Sequence, residues 1–347
     1  MNKSNQHKCE ICKRVIAGKT NSHIIPSFII CQAASADGTG KRNHELVFSI
    51  GEIVHAYIGN EVSQKEVERN FDDLSEERIE KELKNNTHSR DYVFCSSCEK
   101  SLGDYLESPY ALNSRKDKDV AYYFWMSVVW RINHFGLFTN CMPKFILAEL
   151  RKSLDEYLQA RKSGGVFAII KQRYPFSYCV LTCRGYSKDG KGCFYQEYDK
   201  SNRICGLVLG DYIACFNFKQ TLLPDSYNFL GIEDILKQAP LNDGESIEEM
   251  KNVSEEVFVN AYNKIKEKAT PIYLNNEVNM IFRLWNELEK RHYSMPSPAP
   301  SDFFIQRCVE NIHGENKKIG EKHTYRNFAV SFGKAMSEVY GIYVSDE

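Results

Sequence analysis

Cys9-Glu10-Ile11-Cys12 and Cys95-Ser96-Ser97-Cys98-Glu99 are the two stretches on which the reading of this chain turns, and between them stands Ser22-His23-Ile24-Ile25-Pro26. Two C-x-x-C pairs supply four thiolates, the full complement of a tetrahedral zinc shell, and a shell closed to water makes the ion structural. Cys9, Cys12, Cys95 and Cys98 are therefore the expected metal ligands. A knuckle, a hairpin, and a helix whose first turn carries the second thiolate pair form the treble-clef arrangement. Gly18-Lys19-Thr20-Asn21 suits the turn between two short strands over residues 15–30, with His23 at or just before the second.

Working outward, residues 32–90 read as an insertion between the two halves of the zinc site. Its segment 62–84, apolar at intervals among many charged residues, predicts one or two surface helices. The spacing beyond Glu99 predicts helices over 117–135 and 142–161. Residues 166–170, 178–184, 193–198 and 203–218 are β-branched or aromatic runs separated by turn residues, which predicts an antiparallel meander of three to five strands. Helices are expected again over 232–238, 247–268, 277–292, 301–313 and 325–340, with 295–300 as a linker. The fold class is thus α+β, in three parts: a zinc module over 1–110 with its helical insertion, a helical segment over 111–163 packed on it, and an α+β domain over 164–347.

Composition narrows the function classes. The chain has 347 residues, of which 42% are apolar, and twelve cysteines spread over that length read as reduced thiols in a cytoplasm rather than as a disulfide framework. No signal segment is evident and no apolar run reaches the roughly 18 residues that cross a bilayer, so no membrane partner is expected. With 45 basic and 46 acidic residues the net charge is −1, and any phosphate-binding surface must be local. Lys8, Lys13, Arg14 and Lys19 around the first knuckle, Lys41 and Arg42, and Arg115, Lys116 and Lys118 are the candidates. The chain has no phosphate-binding glycine loop, G-x-S-x-G elbow or H-E-x-x-H motif.

The histidine between paired cysteines, followed by Ile-Ile-Pro, resembles the HNH (ββα-metal) nuclease superfamily. More narrowly it is similar to bacterial proteins with a C-x-x-C, Ser-His-Ile-Ile-Pro and C-x-x-C-Glu signature, and Ser127-Val-Val-Trp130-Arg131 looks like a helix that follows in that group. The resemblance covers about residues 9–135. It implies an HNH-like ββα layout in which His23 activates water for attack on phosphorus and Glu99 binds a Mg²⁺ or Mn²⁺ ion. The position before the histidine is often an acidic metal ligand in that family, and here it is Ser22. The family's orienting asparagine is not evident, and Asp91 stands in that region as a candidate orienter or ligand, with Asp104 or Glu107 as a further carboxylate. On a regular helix Glu107 projects near Glu99 and Asp104 is turned away.

Two functions follow as expectations. One is a metal-dependent nuclease acting on DNA or RNA, with structural zinc, in the company of bacterial defence. The other is a non-catalytic zinc-scaffolded adaptor binding nucleic acid or protein, alone or as an oligomer. The remaining cysteines read as core thiols, Trp130 as buried, and Arg131 as either paired with a carboxylate of the zinc module or aimed at a phosphate.

Overall fold

The computed structural model describes residues 7–35, 46–49, 55–58, 89–112, 118–138, 142–164, 176–188, 193–218, 223–291, 295–319 and 325–343. They fall into two compact units, the first ending at Ile265 and the second beginning at Lys266. The architecture is α+β, as expected. Among the described residues no helix is long and apolar enough to cross a membrane.

The first unit opens with a short hairpin over residues 7–17. Lys8 bridges Ile16, and the Cys9 amide donates to the Val15 carbonyl at 2.7 Å, so that Cys9-Glu10-Ile11-Cys12 forms its tip. Lys13 closes the tip in the left-handed region, at φ 54°. Strand β1 is only Ser22–His23, and it pairs antiparallel with β4, Ser89–Arg90. The sequence predicts a second strand extending through residue 30. Instead helix α1, Ser27–Ala33, begins there, with Pro26 as its N-cap and the Pro26 carbonyl accepting from the Ile29 and Ile30 amides. Strands β2, Leu46–Ser49, and β3, His55–Ile58, form a hairpin within the segment read as an insertion. The helices expected over 62–84 lie outside the described residues.

Helix α2, Ser96–Leu102, carries Cys98 and Glu99 on its first turn and runs into a π-helical turn, Gly103–Glu107, and then α3, Ser108–Ala111. Helices α4, Lys118–His134, and α5, Lys144–Lys162, pack on this module and match the expected spans within two residues. Residues 120–133 of α4 are all buried, which is why the segment is apolar all round rather than striped. Tyr110 of α3 stacks on Phe124 with ring centroids 3.8 Å apart, and Phe94 stacks on Trp130. A single cluster of buried side chains runs from Cys9 through α4 and α5 to Phe218.

Strands β5 (Ser177–Thr182), β6 (Phe194–Asp199), β7 (Ile204–Leu209), β8 (Tyr212–Asn217) and β9 (Lys251–Asn252) form one sheet in the order β6-β7-β8-β5-β9. Two features differ from the expected meander. Residues 203–218 make two strands, because Gly210 at φ 59° takes the left-handed position of a tight turn that no β-branched residue would occupy. The edge strand β9 is parallel to β5, so the sheet is mixed. The strand expected over 166–170 lies outside the described residues.

Gly206 of β7 is a packing position. A Cβ there would lie no more than 2.7 Å from three ring atoms of Phe229, a fully buried side chain that stacks on Tyr227. The Gly206→Ala protein is expected to be destabilised by about 1–3 kcal/mol, the usual range for overpacking. Urea denaturation followed by tryptophan fluorescence measures this, and an unchanged midpoint would show that the Phe229 ring can give way.

Two expected helices merge. Residues 247–254 are not helical, with β9 over Lys251–Asn252, and α7, Glu255–Lys290, runs unbroken through Pro271. Between β8 and β9 lies α6, Glu233–Lys237. Proline removes one backbone bond and crowds the turn before it. Burial of Phe258 and Ala261 on one side of it, and of Ile281 and Trp285 on the other, sustains the helix. In the second unit the latter part of α7 packs with α8, Asp302–Ile319, and α9, Tyr325–Tyr340, around Trp285, Phe304, Cys308, Phe332 and Met336.

Candidate metal centre and the adjoining histidine site

The four sulfurs of Cys9, Cys12, Cys95 and Cys98 lie within 4.8 Å of one another, and all four residues are buried. A tetrahedral zinc with bonds of about 2.3 Å sets its sulfurs about 3.8 Å apart, so the cluster fits such an ion. The hairpin supplies the first pair. Residues 91–95, tied to the hairpin by Glu10 N–H to Val93 O at 2.8 Å and Gly18 N–H to Phe94 O at 2.9 Å, deliver the second pair at the start of α2. Without metal, a hydrogen bond from Cys98 pulls the Cys9 thiol down to about 4 and pushes Cys98 up, while burial raises Cys95. Such a cluster gains from a dication that neutralises the remaining thiols as thiolates.

Helices α4 and α5 hold the knuckle from outside. Arg14 forms a two-pronged pair with Asp155, both contacts at 2.7 Å, and Arg151 donates to the Ile11 carbonyl at 2.8 Å. Glu10 pairs with Lys13 and meets His134 Nε2 at 3.0 Å, while His134 lies flat on Trp130. Arg14 and Lys13 were candidate phosphate contacts; the structure spends them on the knuckle. Lys118 likewise donates to the Glu245 carbonyl. Arg115, Lys116, Lys41 and Arg42 lie outside the described residues.

Beside the cysteines, β1 brings Ser22 onto the helix that carries Cys98 and Glu99. Ser22 Oγ donates to Glu99 Oε2 at 2.6 Å and meets Thr20 Oγ1 at 2.7 Å. Ser22 is fully buried, whereas His23 and Glu99 are half-buried. Arg131 Nη1 donates both to the His23 backbone carbonyl at 2.8 Å and to Glu107 Oε1 at 2.7 Å. Burial pushes the Glu99 carboxyl above its usual range, a rise that the Ser22 hydrogen bond and the Arg131 charge oppose and the Glu107 charge adds to. Glu99, Glu107 and Arg131 thus share one electrostatic site, and of the two places considered for Arg131 the structure shows the pairing with a zinc-module carboxylate.

The π-helical turn explains how Glu107 gets there. Its i→i+5 bonding fits an extra residue into the helix, and Glu107, at its end, meets the guanidinium that also acts on Glu99. Asp104 is exposed. Asp91 is exposed and accepts the Asn21 amide at 2.8 Å, bracing the left-handed residue that precedes β1. Among the described residues, the four cysteines make the one group of three or more His, Cys, Asp or Glu donors close enough to share an ion. Glu99, His23 and Asp91 do not converge in that way.

The sequence reading missed the role of Ser22, backed by Thr20, as the partner of Glu99, and that of Arg14 and Arg151 as clamps. It also missed Glu248, a buried carboxylate that accepts from Trp125 Nε1 at 2.8 Å, Tyr178 Oη at 3.2 Å and Tyr110 Oη at 3.3 Å. The only available signal was the excess of tyrosine and tryptophan in the apolar runs, since each such ring needs a polar partner when buried. No family model, curated protein or solved structure matches this chain.

Proposed function

We propose that the N-terminal module is a zinc-scaffolded nuclease of HNH-like layout, hydrolysing phosphodiester bonds of DNA or RNA with His23 as general base. Zinc on Cys9, Cys12, Cys95 and Cys98 is structural in this reading, and the module is a treble clef. The observation that carries it is the meeting of Ser22 and Glu99, the residue before the histidine and the residue after the last cysteine, against the same face of the zinc module. In the family that the sequence resembles, those two positions and the histidine form the reacting site.

In this mechanism the half-buried His23 takes the proton of the attacking water as the new P–O bond forms, and the bond to the leaving sugar oxygen breaks, that oxygen taking its proton from solvent. Arg131 fixes the strand that carries it by holding its backbone carbonyl. Two carboxylates facing an incoming phosphodiester would repel it. Arg131 neutralises Glu107, and Ser22 donates to Glu99, so the repulsion is reduced. A second, divalent ion on these residues fits poorly, because one oxygen of each carboxylate is already held, by Ser22 and by Arg131, and no step is assigned to one.

The test is incubation of zinc-loaded protein with plasmid, single-stranded DNA and RNA. His23→Ala is expected to lower cleavage by about 10²–10⁴-fold, the range for loss of a general base, with zinc content and melting temperature unchanged. Equal cleavage by the variant would remove His23 from the mechanism. The engagement of both Glu99 and Glu107 by protein groups favours a second reading, a non-catalytic adaptor that keeps the scaffold and binds nucleic acid or protein. Retention of labelled nucleic acid with no cutting of any substrate would select it.

A further inference from the structure

We infer that Ser22 and Arg131, rather than a divalent cation, hold the Glu99 and Glu107 carboxylates, so that this site takes up neither Mg²⁺ nor Mn²⁺. The inference rests on the nuclease reading only for its bearing on catalysis; the contacts that carry it stand without it.

The first contact is Ser22 Oγ to Glu99 Oε2 at 2.6 Å, a short hydrogen bond in which the hydroxyl proton lies between the two oxygens. An ion bridging these two oxygens would have to displace that proton from a serine with no exposed surface, and Thr20 Oγ1 stands 2.7 Å behind it. Mg²⁺ gives up water reluctantly, demands near-octahedral geometry and is held by one or two carboxylates with several waters. A fully buried hydroxyl locked to its carboxylate is a poor start for that shell.

The second contact is the guanidinium. The Arg131 side chain is 2% exposed and bonded on every nitrogen: Nε to Ser127 O at 3.3 Å, Nη2 to Ser127 Oγ at 3.3 Å, and Nη1 to His23 O at 2.8 Å and Glu107 Oε1 at 2.7 Å. It is therefore a fixed positive charge with no rotamer into which to retreat. An ion reaching Glu99 and Glu107 together would sit next to it, in a partly buried site where like charges repel far more than in water. Glu107 already has a counter-charge, and Glu99 already has a hydrogen-bond donor.

Donor count is the third. Among the described residues the cysteine cluster is the one convergence of three metal-binding side chains, and Asp91, which would add a hard oxygen, is turned to the Asn21 amide instead.

The experiment is a Mn²⁺ titration of the zinc-loaded full chain followed by electron paramagnetic resonance, in which free Mn²⁺ gives the signal and bound Mn²⁺ loses it, beside the Glu99→Gln variant. The expected result is no stoichiometric uptake by the wild type up to 1 mM Mn²⁺ (about 1 mM being a weak-binding ceiling on the affinity scale). One equivalent bound by the wild type and lost in Glu99→Gln overturns the inference; one equivalent retained in Glu99→Gln lies elsewhere and leaves it standing. Cleavage assayed in parallel separates the two readings. Cutting by the zinc-loaded protein with no Mg²⁺ or Mn²⁺ added supports both, cutting that requires added Mg²⁺ or Mn²⁺ together with uptake at Glu99 keeps the nuclease and sinks this inference, and no cutting with no uptake sinks the nuclease alone.

Discussion

Removal of metal from Cys9, Cys12, Cys95 and Cys98 is expected to unfold the cysteine-bearing module rather than to loosen it. Structural zinc in small domains contributes on the order of 10–16 kcal/mol of apparent binding energy near neutral pH, which equals or exceeds the ~5–15 kcal/mol by which a whole domain is stable. Here the four sulfurs join a hairpin to a helix start that lies far from it in sequence, and the same cluster is continuous with the core around α4. A Cys98→Ser protein should therefore lose both bound zinc, by elemental analysis, and the upper part of its thermal transition. A metal-free Cys98→Ser protein that melts with the wild type would show the cluster to be four ordinary core thiols. The pH dependence has a definite sign. Binding as four thiolates must displace protons from Cys98 and Cys95, both of which are held above the usual thiol range, so metal affinity falls as pH falls.

The elements that the sequence reveals are those whose chemistry is local. The C-x-x-C pairs are legible because ligand type and spacing are fixed by the ion, whatever lies between them. Helices α4 and α5 are legible because their apolar content persists over several turns. What escapes is decided by partners distant in the chain. Nothing around Ser22 announces that its hydroxyl will meet Glu99, and nothing around Arg14 announces Asp155. A guanidinium near a zinc knuckle reads equally as a phosphate contact or a brace, and only the fold distinguishes them. The break expected between 268 and 277 is absent for a related reason: Pro271, a local breaker, lies inside a helix whose side chains are buried on both sides of it. The π-helical turn at Gly103–Glu107 has no reliable local signature either, yet it delivers Glu107 to Arg131.

Arg131→Met is expected to be the most damaging single change outside the cysteines. It leaves Glu107 without its cation and removes the bond that ties the His23 carbonyl to α4, along with two bonds to Ser127 within α4. Breaking one partner out of a buried pair costs about 3–5 kcal/mol, because the other charge stays behind uncompensated. For a unit of this size that is a fall in melting temperature of roughly 10 °C. The double change Arg131→Met with Glu107→Gln should recover part of the loss, since removing both charges is far less harmful than removing one. Glu99 adds a pH signature. Its folded carboxyl is already raised by burial, so the stability it contributes is present below its unfolded pKa and lost as pH rises through the folded one. Without the Arg131 charge to oppose that rise, the folded value climbs further, and the deficit of Arg131→Met against wild type should be larger at neutral pH than near pH 5. Because acid also weakens the thiolate cluster, the comparison is made between the two proteins at each pH, by calorimetry with zinc content checked. A deficit that does not change with pH would mean that Arg131 acts through packing and its bond to the His23 carbonyl, and that the carboxylates are balanced by something else.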